Sequence, residues 1–304
     1  DKKVINKRTL ENLIKAGCFD SLETNRAKLL YNLNKIIDFI EQERANENQG
    51  SLFDIFTQDN QTNQYHEVEL DEVANFSSRE QLQQEKQAIG YYLSGSLFDE
   101  YKDLAQALKV YPLIKFSLED PEINNLINIK SKIKPKVLIG GIITYIGSRP
   151  TKSGGKIAFV RIEDSSSDLE FVIFNDDYEK YRQLLKIDEL IFVEGEVIYD
   201  AFRNEIKINA SKILLLDELL AQKVASIDLR LTDGIVWQSV KTLLSNNNPE
   251  FLTNVKIHYS NHNAQCKIKL GEVIRFIPNY HNFEQLTRLI GKENWQISLI
   301  NSSN

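Results

Sequence analysis

Five short apolar segments between residues 137 and 216 restrict the possible folds of this chain more than any other feature. Each is bounded by turn-forming residues, which is typical of β-strands, and a helical pattern follows the third. The segments cover residues 137–146, 157–162, 169–174, 190–198 and 206–216. We expect them to close into a small barrel, because closure leaves no exposed strand edge.

The alternation of side chains supports a barrel, since successive residues of a strand point to opposite faces. The residues expected to fill the interior are Ala158, Val160, Ile162, Leu169, Phe171 and Ile173. Residues 175–177 (Asn-Asp-Asp) are predicted to cap the helix that follows. Five strands with one helix between the third and fourth are the order of an OB-fold, so the sequence predicts this fold for residues 137–216.

The composition excludes several classes of protein. The chain has 304 residues, enough for roughly two or three domains, and a formal net charge of −6. Any contact with nucleic acid must therefore come from local basic patches. Cys18 and Cys266 match no metal-ligand spacing, which predicts a reducing compartment. No segment has the ~20 apolar residues of a membrane span, so we expect a cytoplasmic protein without membrane contacts. The sequence contains no methionine, which indicates a fragment.

The N-terminal residues 1–46 have a helical pattern with an excess of basic side chains. Leu10, Leu13, Gly17 and Phe19 are spaced as in half of a helix-hairpin-helix element, which holds a DNA phosphate at a helix start. Residues expected to contact duplex DNA are Lys15, Gly17 and Arg26. The alternative is an ordinary helical pair with a solvated basic face.

Residues 47–80 are polar and are predicted to form a linker, with one exception. Gln49, Leu52 and Phe53 place large apolar side chains where no core is expected, and they resemble the Gln-x-x-Leu-Phe motif that binds the bacterial sliding clamp. The alternative is that Leu52 and Phe53 pack back onto a domain.

Residues 81–136 are predicted to form a helical connector that ends in alternating lysines, and the barrel follows. OB-folds hold single strands with cations for phosphates and aromatic rings for bases. The candidate residues are Arg149, Lys152 and Lys156 near the first loop, Phe159 and Arg161 on the second strand, and Phe202 and Arg203 in the last hairpin. A purely structural barrel is the alternative, because acidic residues outnumber basic ones in it.

Residues 217–304 alternate helical and strand patterns and are predicted to form a small α+β domain. His258 and His262 lie near a strand end without a third ligand, so we predict no metal site. Taken together, the chain is predicted to be a multidomain α+β protein with an N-terminal helical part, a central OB-fold and a small C-terminal α+β domain.

Several motifs, in this order, resemble the C-terminal region of the α subunit of bacterial DNA polymerase III, a family C replicative polymerase. They are Leu13-Ile14-Lys15-Ala16-Gly17-Cys18-Phe19-Asp20 with Asn25-Arg26, Gln49 to Phe53, Glu85-Lys86 with Ile89-Gly90-Tyr91-Tyr92-Leu93-Ser94-Gly95, Thr151-Lys152 with Gly154, Glu163-Asp164, Leu270-Gly271 and Leu289-Ile290-Gly291. Where the family usually has His-Pro after the Ser-Gly pair, this chain has Ser96-Leu97.

The resemblance implies a division of labour. The helical part would contact duplex DNA, the peptide around Leu52 the sliding clamp, the OB-fold the single-stranded template, and the last domain the clamp-loader tau subunit. The catalytic carboxylates of this family hold two metal ions in an upstream palm domain. That domain is absent here, so we expect no catalytic residues and no cofactor in this fragment.

Two other readings keep the OB-fold. One is the anticodon-binding part of a class II aminoacyl-tRNA synthetase, for which residues 219–304 are too few to hold the catalytic domain. The other is a scaffold for protein–protein interaction without nucleic acid, which the acidic balance favours.

Overall fold

The computed structural model describes residues 6–53, 68–128, 136–151, 154–232, 237–244, 253–261, 264–271 and 274–300; for residues 46–53 and Asp176 the description covers the backbone only. Contacts divide the chain into two compact units, Asp1–Leu97 and Phe98–Asn304. Among the helices of the described ranges, none has both the length and the apolar character needed to cross a membrane.

The first unit is helical. Its helices are α1 (Lys7–Lys15), α2 (Arg26–Tyr31), α3 (Leu33–Phe53) and α4 (Ser78–Ile89). Asparagine side chains cap the first two helices: Asn6 accepts a hydrogen bond from the backbone of Thr9, and Asn25 from that of Lys28. Such caps satisfy backbone N–H groups that have no partner inside the helix.

The structure differs from the predicted linker over residues 47–80. Helix α3 continues to Phe53, because Gln, Glu and Ala are good helix formers even where no apolar face is present. Further along, the chain is held against the helices by buried amides. Asn32, 1 % exposed, exchanges two hydrogen bonds with the backbone of Asp71, of 3.0 and 2.9 Å. Helix α4, expected in a connector, belongs to this first unit.

The second unit begins with two short helices that lead to a barrel. These are α5 (Lys102–Ala107) and α6 (Pro121–Asn128). Ile123 of α6 is fully buried and joins the barrel core, as does Leu113. The connector is therefore part of the barrel's packing.

The barrel is closed and has the predicted order. Its elements are β1 (Lys136–Pro150), β2 (Lys156–Glu163), β3 (Asp168–Phe174), α7 (Asn175–Tyr181), β4 (Leu190–Asp200) and β5 (Glu205–Leu214). Neighbours follow the order β1-β2-β3-β5-β4, and β4 returns to β1. All neighbours are antiparallel except β3 and β5, whose parallel join comprises Phe171 with Ile208 and Val172 with Asn209. The predicted OB-fold is confirmed.

The predicted interior is also confirmed. Ala158, Val160, Ile162, Leu169, Phe171 and Ile173 are all buried in one core. Full burial of a side chain such as Phe171 contributes about 1.5–3 kcal/mol. The predicted helix cap is wrong: Phe174 occupies the N-cap position of α7 without a side-chain hydrogen bond, and Asn175 has a φ of +40°.

The rest of the second unit is the small α+β domain that the sequence predicts. Its elements are α8 (Leu216–Lys223), β6 (Val224–Leu231), α9 (Trp237–Leu244), β7 (Asn254–Ser260), β8 (Gln265–Lys269), α10 (Tyr280–Ile290) and β9 (Trp295–Leu299). The sheet order is β8-β7-β6-β9, with β6 and β7 parallel. Phe283 of α10 packs on Trp295 of β9 with ring centroids 5.0 Å apart.

Candidate nucleic-acid interface

A cation and an aromatic ring lie together on the outward face of the barrel. Phe159 of β2 is paired with Gly147 of β1, two residues before Arg149. The guanidinium carbon of Arg149 lies 4.5 Å from the centre of the Phe159 ring. A guanidinium at this distance from a ring makes a cation–π contact, and its planar array of N–H donors matches the geometry of a phosphate. The structure thus brings together two of the predicted residues.

A buried lysine that the sequence analysis missed supports this face. Lys207 of β5 is 3 % exposed, and its Nζ lies 6.0 Å from the centre of the Phe159 ring. The same Nζ is 2.7 Å from Oε1 of Glu170 on β3 and 3.2 Å from Oδ2 of Asp200 on β4. The hydrogen bond from Lys207 lowers the pKa of Asp200 below its ordinary value, although desolvation opposes this. One ammonium group therefore ties three strands together.

Two of the predicted cations on this face are paired with acids. Arg161 Nε lies 3.4 Å from Oδ2 of Asp168, and Arg203 Nη1 lies 3.8 Å from Oε1 of Glu170. Both arginine side chains remain about half exposed, at 49 % and 44 %. Their charge is shared with the protein's own carboxylates, so they attract phosphate less than the sequence suggests.

The turn between β4 and β5 presents an unpacked ring. Phe202 is 97 % exposed. The backbone N–H groups of Phe202 and Arg203 donate to Oδ1 of Asp200 over 3.1 and 3.3 Å, which fixes the turn. A ring held in water on a fixed turn has no role in the core, and it offers a flat surface on which a base can stack.

The first loop is described in part. Lys156, exposed at the start of β2 and paired with Pro150 across the strands, has no ion pair within the described ranges. It is available to a phosphate. Lys152 lies outside the described residues.

Two of the predicted duplex-binding residues, Arg26 and Gly17, pack inside the helical unit. Arg26 is 4 % exposed; its Nε and Nη2 donate to Asp20 over 2.8 and 2.7 Å, and its Nη1 donates to Glu85 over 2.8 Å. The guanidinium cannot reach a phosphate, so the prediction for Arg26 is wrong. Gly17 has a φ of +82°, and a Cβ there would collide with the guanidinium. Gly17 therefore allows close internal packing against Arg26.

Two further predictions concern this unit. Lys15 Nζ donates to Oε1 of Gln87 over 2.6 Å at an exposed position. A helix-hairpin-helix element is not confirmed, and DNA contact by Lys15 stays a prediction. Gln49, Leu52 and Phe53 lie in the last turns of α3, but their side chains are outside the description, so the clamp-binding motif also stays a prediction.

Within the parts of the chain that the structure describes, no cluster of His, Cys, Asp and Glu could hold a metal ion. His262 lies outside those parts.

Known proteins resemble this chain at two levels, over the barrel alone and over nearly the whole chain. A family described as "OB-fold nucleic acid binding domain" matches residues 137–216. The DNA polymerase III α subunit of Borreliella burgdorferi is 28 % identical over 300 residues, which cover 95 % of this chain and 25 % of that protein. The corresponding subunit of Escherichia coli K12 is 26 % identical and matches 96 % of this chain and 24 % of its own length.

The chain resembles the DNA polymerase III α subunit over nearly its whole length. It spans about a quarter of the length of these relatives, which fits the C-terminal fragment predicted from the sequence. The Neisseria meningitidis serogroup A subunit gives a similar match, 28 % identical over 98 % of this chain and 24 % of its own length. Among solved structures, the single-stranded DNA binding protein of Thermus aquaticus is 18 % identical, covers 26 % of this chain and 39 % of its own, and has a TM-score of 0.24.

Proposed function

We propose that this chain is the non-catalytic C-terminal region of a replicative polymerase α subunit, and that its barrel binds the single-stranded template. The observation that carries the proposal is the pair formed by Arg149 of β1 and Phe159 of β2, on the same barrel as the 97 % exposed ring of Phe202. Cations for phosphates and rings for bases are the combination that binds single strands without reading their sequence.

The charges on the face set the strength of this binding. Arg149 and Lys156 contact phosphates, while Arg161 and Arg203 are partly neutralised by Asp168 and Glu170. Binding is therefore weaker than on a uniformly basic barrel and depends on salt. A weak, sequence-independent site suits a template that has to slide past a polymerase.

Replacing Phe202 with alanine is expected to weaken binding of an oligo(dT) strand at least ~5-fold, because one base stack contributes about 1–3 kcal/mol. Fluorescence anisotropy at one fixed salt concentration measures the effect. The matched control is Tyr31→Ala, which removes another exposed ring, 68 % exposed, from the helical unit. The control should bind as the native chain does.

An Arg149→Ala, Lys156→Ala variant tests the cations on the same face. It should lower the slope of log affinity against log salt by about 1.4, since each phosphate contact to a single strand contributes ~0.7. If both this variant and Phe202→Ala bound like the native chain, the barrel would not be a DNA site. The second candidate, a protein-interaction scaffold, would then be preferred; the carboxylate pairing of Arg161 and Arg203 is the observation in its favour.

The peptide around Gln49, Leu52 and Phe53 is proposed to bind the sliding clamp. A Leu52→Ala, Phe53→Ala variant is expected to bind a bacterial clamp at least ~10-fold more weakly, because each buried side chain contributes about 1.5–3 kcal/mol before ordering costs. Surface plasmon resonance on immobilised clamp measures this. Ile40→Ala, which truncates a 42 % exposed side chain of the same helix, is the control. Equal binding by all three proteins would remove the motif from the proposal.

The rest of the chain is proposed to help hold the polymerase at the primer end. The C-terminal α+β domain is proposed to bind the clamp-loader tau subunit, and nucleotide transfer with divalent metal belongs to a palm domain elsewhere in the parent protein. Several weak contacts to template, clamp and loader raise the effective concentration of the catalytic part at the primer end.

A further inference from the structure

One face of the C-terminal sheet is covered by helix and the other is open. The buried residues Ile227, Leu229, Val255 and Ile257 point to the covered side, where Phe283 of α10 packs on Trp295. Because side chains alternate along a strand, the residues between them lie on the opposite side. The open sheet face comprises Asp228, Arg230, Lys256, His258, Lys267 and Lys269.

The register arranges these residues in two rows across the strands. One row is Arg230, His258 and Lys267, and the next is Asp228, Lys256 and Lys269. Arg230, His258 and Lys267 also line a shallow depression of about 450 Å³. Side chains of three neighbouring strands, about 5 Å apart from strand to strand, thus share one concave surface, and two of them, Arg230 and Lys267, are cationic.

The charge of the open sheet face is opposite to that of the chain. Four Lys and Arg side chains face a single carboxylate, Asp228, which lies 3.7 Å from the Nζ of Lys256. Arg230, Lys267 and Lys269 are exposed and have no ion pair within the described ranges. Lysines often protect an edge strand such as β8 from aggregation, but that does not account for Arg230 and Lys256 on the inner strands β6 and β7.

We propose that the open sheet face binds the phosphate backbone of duplex DNA. Across the described strands, the face offers no apolar side chain, whereas the centre of a protein–protein interface is apolar and depleted in charge. Its rings are the imidazole of His258 and, at the same depression, Tyr259; both are half-buried, unlike the exposed Phe202 ring that the barrel offers to unpaired bases. A cluster of mostly unpaired cations, with neither apolar anchors nor a large exposed ring, is suited to a regular array of phosphates. This site is separate from the single-strand site on the barrel.

A Lys267→Gln, Lys269→Gln variant of the whole chain tests the assignment on a blunt-ended 20-base-pair duplex. Its affinity should fall ~10-fold at low salt, and its salt slope should fall by about 1.8, or ~0.9 for each lost contact. The control variant, Lys241→Gln with Arg288→Gln, removes the same charge from the helices α9 and α10 and should bind as the native chain does. Binding of oligo(dT), which reports the barrel, should be unchanged in both variants.

Three results would overturn the proposal. One is duplex binding that is unchanged in the β8 variant, and another is an equal loss in the control, which would show only a general charge effect. The third is displacement of the duplex by polyglutamate at equal charge concentration, which would assign the face to acidic protein segments. Weaker oligo(dT) binding by Phe202→Ala tests only the barrel site. It neither supports nor contradicts duplex binding by the open sheet face. Thermal unfolding of each variant establishes that it is folded.

Discussion

Replacing Arg26 with alanine is expected to lower the free energy of unfolding of the helical unit by about 3–5 kcal/mol, because it leaves a buried carboxylate without its partner. Glu85 is fully buried, and its Oε1 accepts from Arg26 over 2.8 Å. Its Oε2 accepts from the backbone N–H groups of Leu93 and Ser94. A single pair therefore joins α2 to α4 and to the turn that follows α4.

Hydrogen exchange of the amides in α1 and α4 measures this loss, because their protection reports the stability of the unit. Both tryptophans, Trp237 and Trp295, lie in the other unit, so their fluorescence should be unchanged. Lys35→Ala removes an exposed ion pair with Asp71 and should cost less than about 1 kcal/mol. An Arg26→Met, Glu85→Gln variant removes both charges and should recover part of the loss. Unaltered protection in Arg26→Ala would show that the pair does not stabilise the unit.

Because of the Arg26–Glu85 pair, the stability of the helical unit should depend on pH. Burial raises the pKa of Glu85, but the hydrogen bonds from Arg26 and from the backbone of Ser94 and Leu93 outweigh it, so the pKa is lowered. Because the pKa is lowered in the folded state, the stabilising contribution of Glu85 is complete above the ordinary pKa of glutamate. This contribution is lost as the pH falls through the pKa of the folded state. The helical unit of the native chain should therefore lose protection in that acidic range, and the Arg26→Met, Glu85→Gln variant should lose less.

Replacing Lys207 with methionine is expected to destabilise the barrel by about 3 kcal/mol, since Glu170, 11 % exposed at its side chain, loses an ion pair of 2.7 Å. Methionine keeps the apolar stem and removes only the charge. Urea unfolding followed by circular dichroism measures the change. Lys212→Met on the same strand, whose Nζ bonds Gln222 at an exposed position, is the control and should have a small effect.

A second measurement distinguishes loss of the Lys207 charge from a change in packing. The hydrogen bond from Lys207 is the main reason why the pKa of Asp200 is lowered, so in Lys207→Met that pKa should rise toward its ordinary value. An NMR titration of the Asp200 carboxyl detects this. Its stabilising effect in the native chain is present above the ordinary pKa and is lost as pH falls through the lowered one. An Asp200 titration that is identical in the two proteins would contradict the assignment.

The barrel was predictable because its signal is local. Period-two alternation in β2 and β3 placed Val160 and Phe171 inside, and the position of one helix identified the fold. The interior residues follow from the sequence alone. Outward residues such as Phe159 and Phe202 were also found, since a large ring on a polar face has no place in the core.

The side-chain partners were not predictable in this way. Arg26 and Glu85 are 59 positions apart, so the arginine reads as a free cation until the helices are packed. Lys207 could have been noticed, because it interrupts the apolar run between Ile206 and Ile208. The lysines of β8 were visible too, but only the register with β7 and β6 shows that they share a face with Arg230.

The parallel join between β3 and β5 gives the barrel one mechanically distinct side. Phe171 with Ile208 and Val172 with Asn209 are its backbone pairs, and the ion pair of Lys207 with Glu170 crosses the same gap. Side-chain contacts therefore provide much of the resistance to separation of β3 and β5. Substitution of single side chains can therefore change how easily β3 and β5 separate under force. The backbone hydrogen bonds of the other strand pairs need not change.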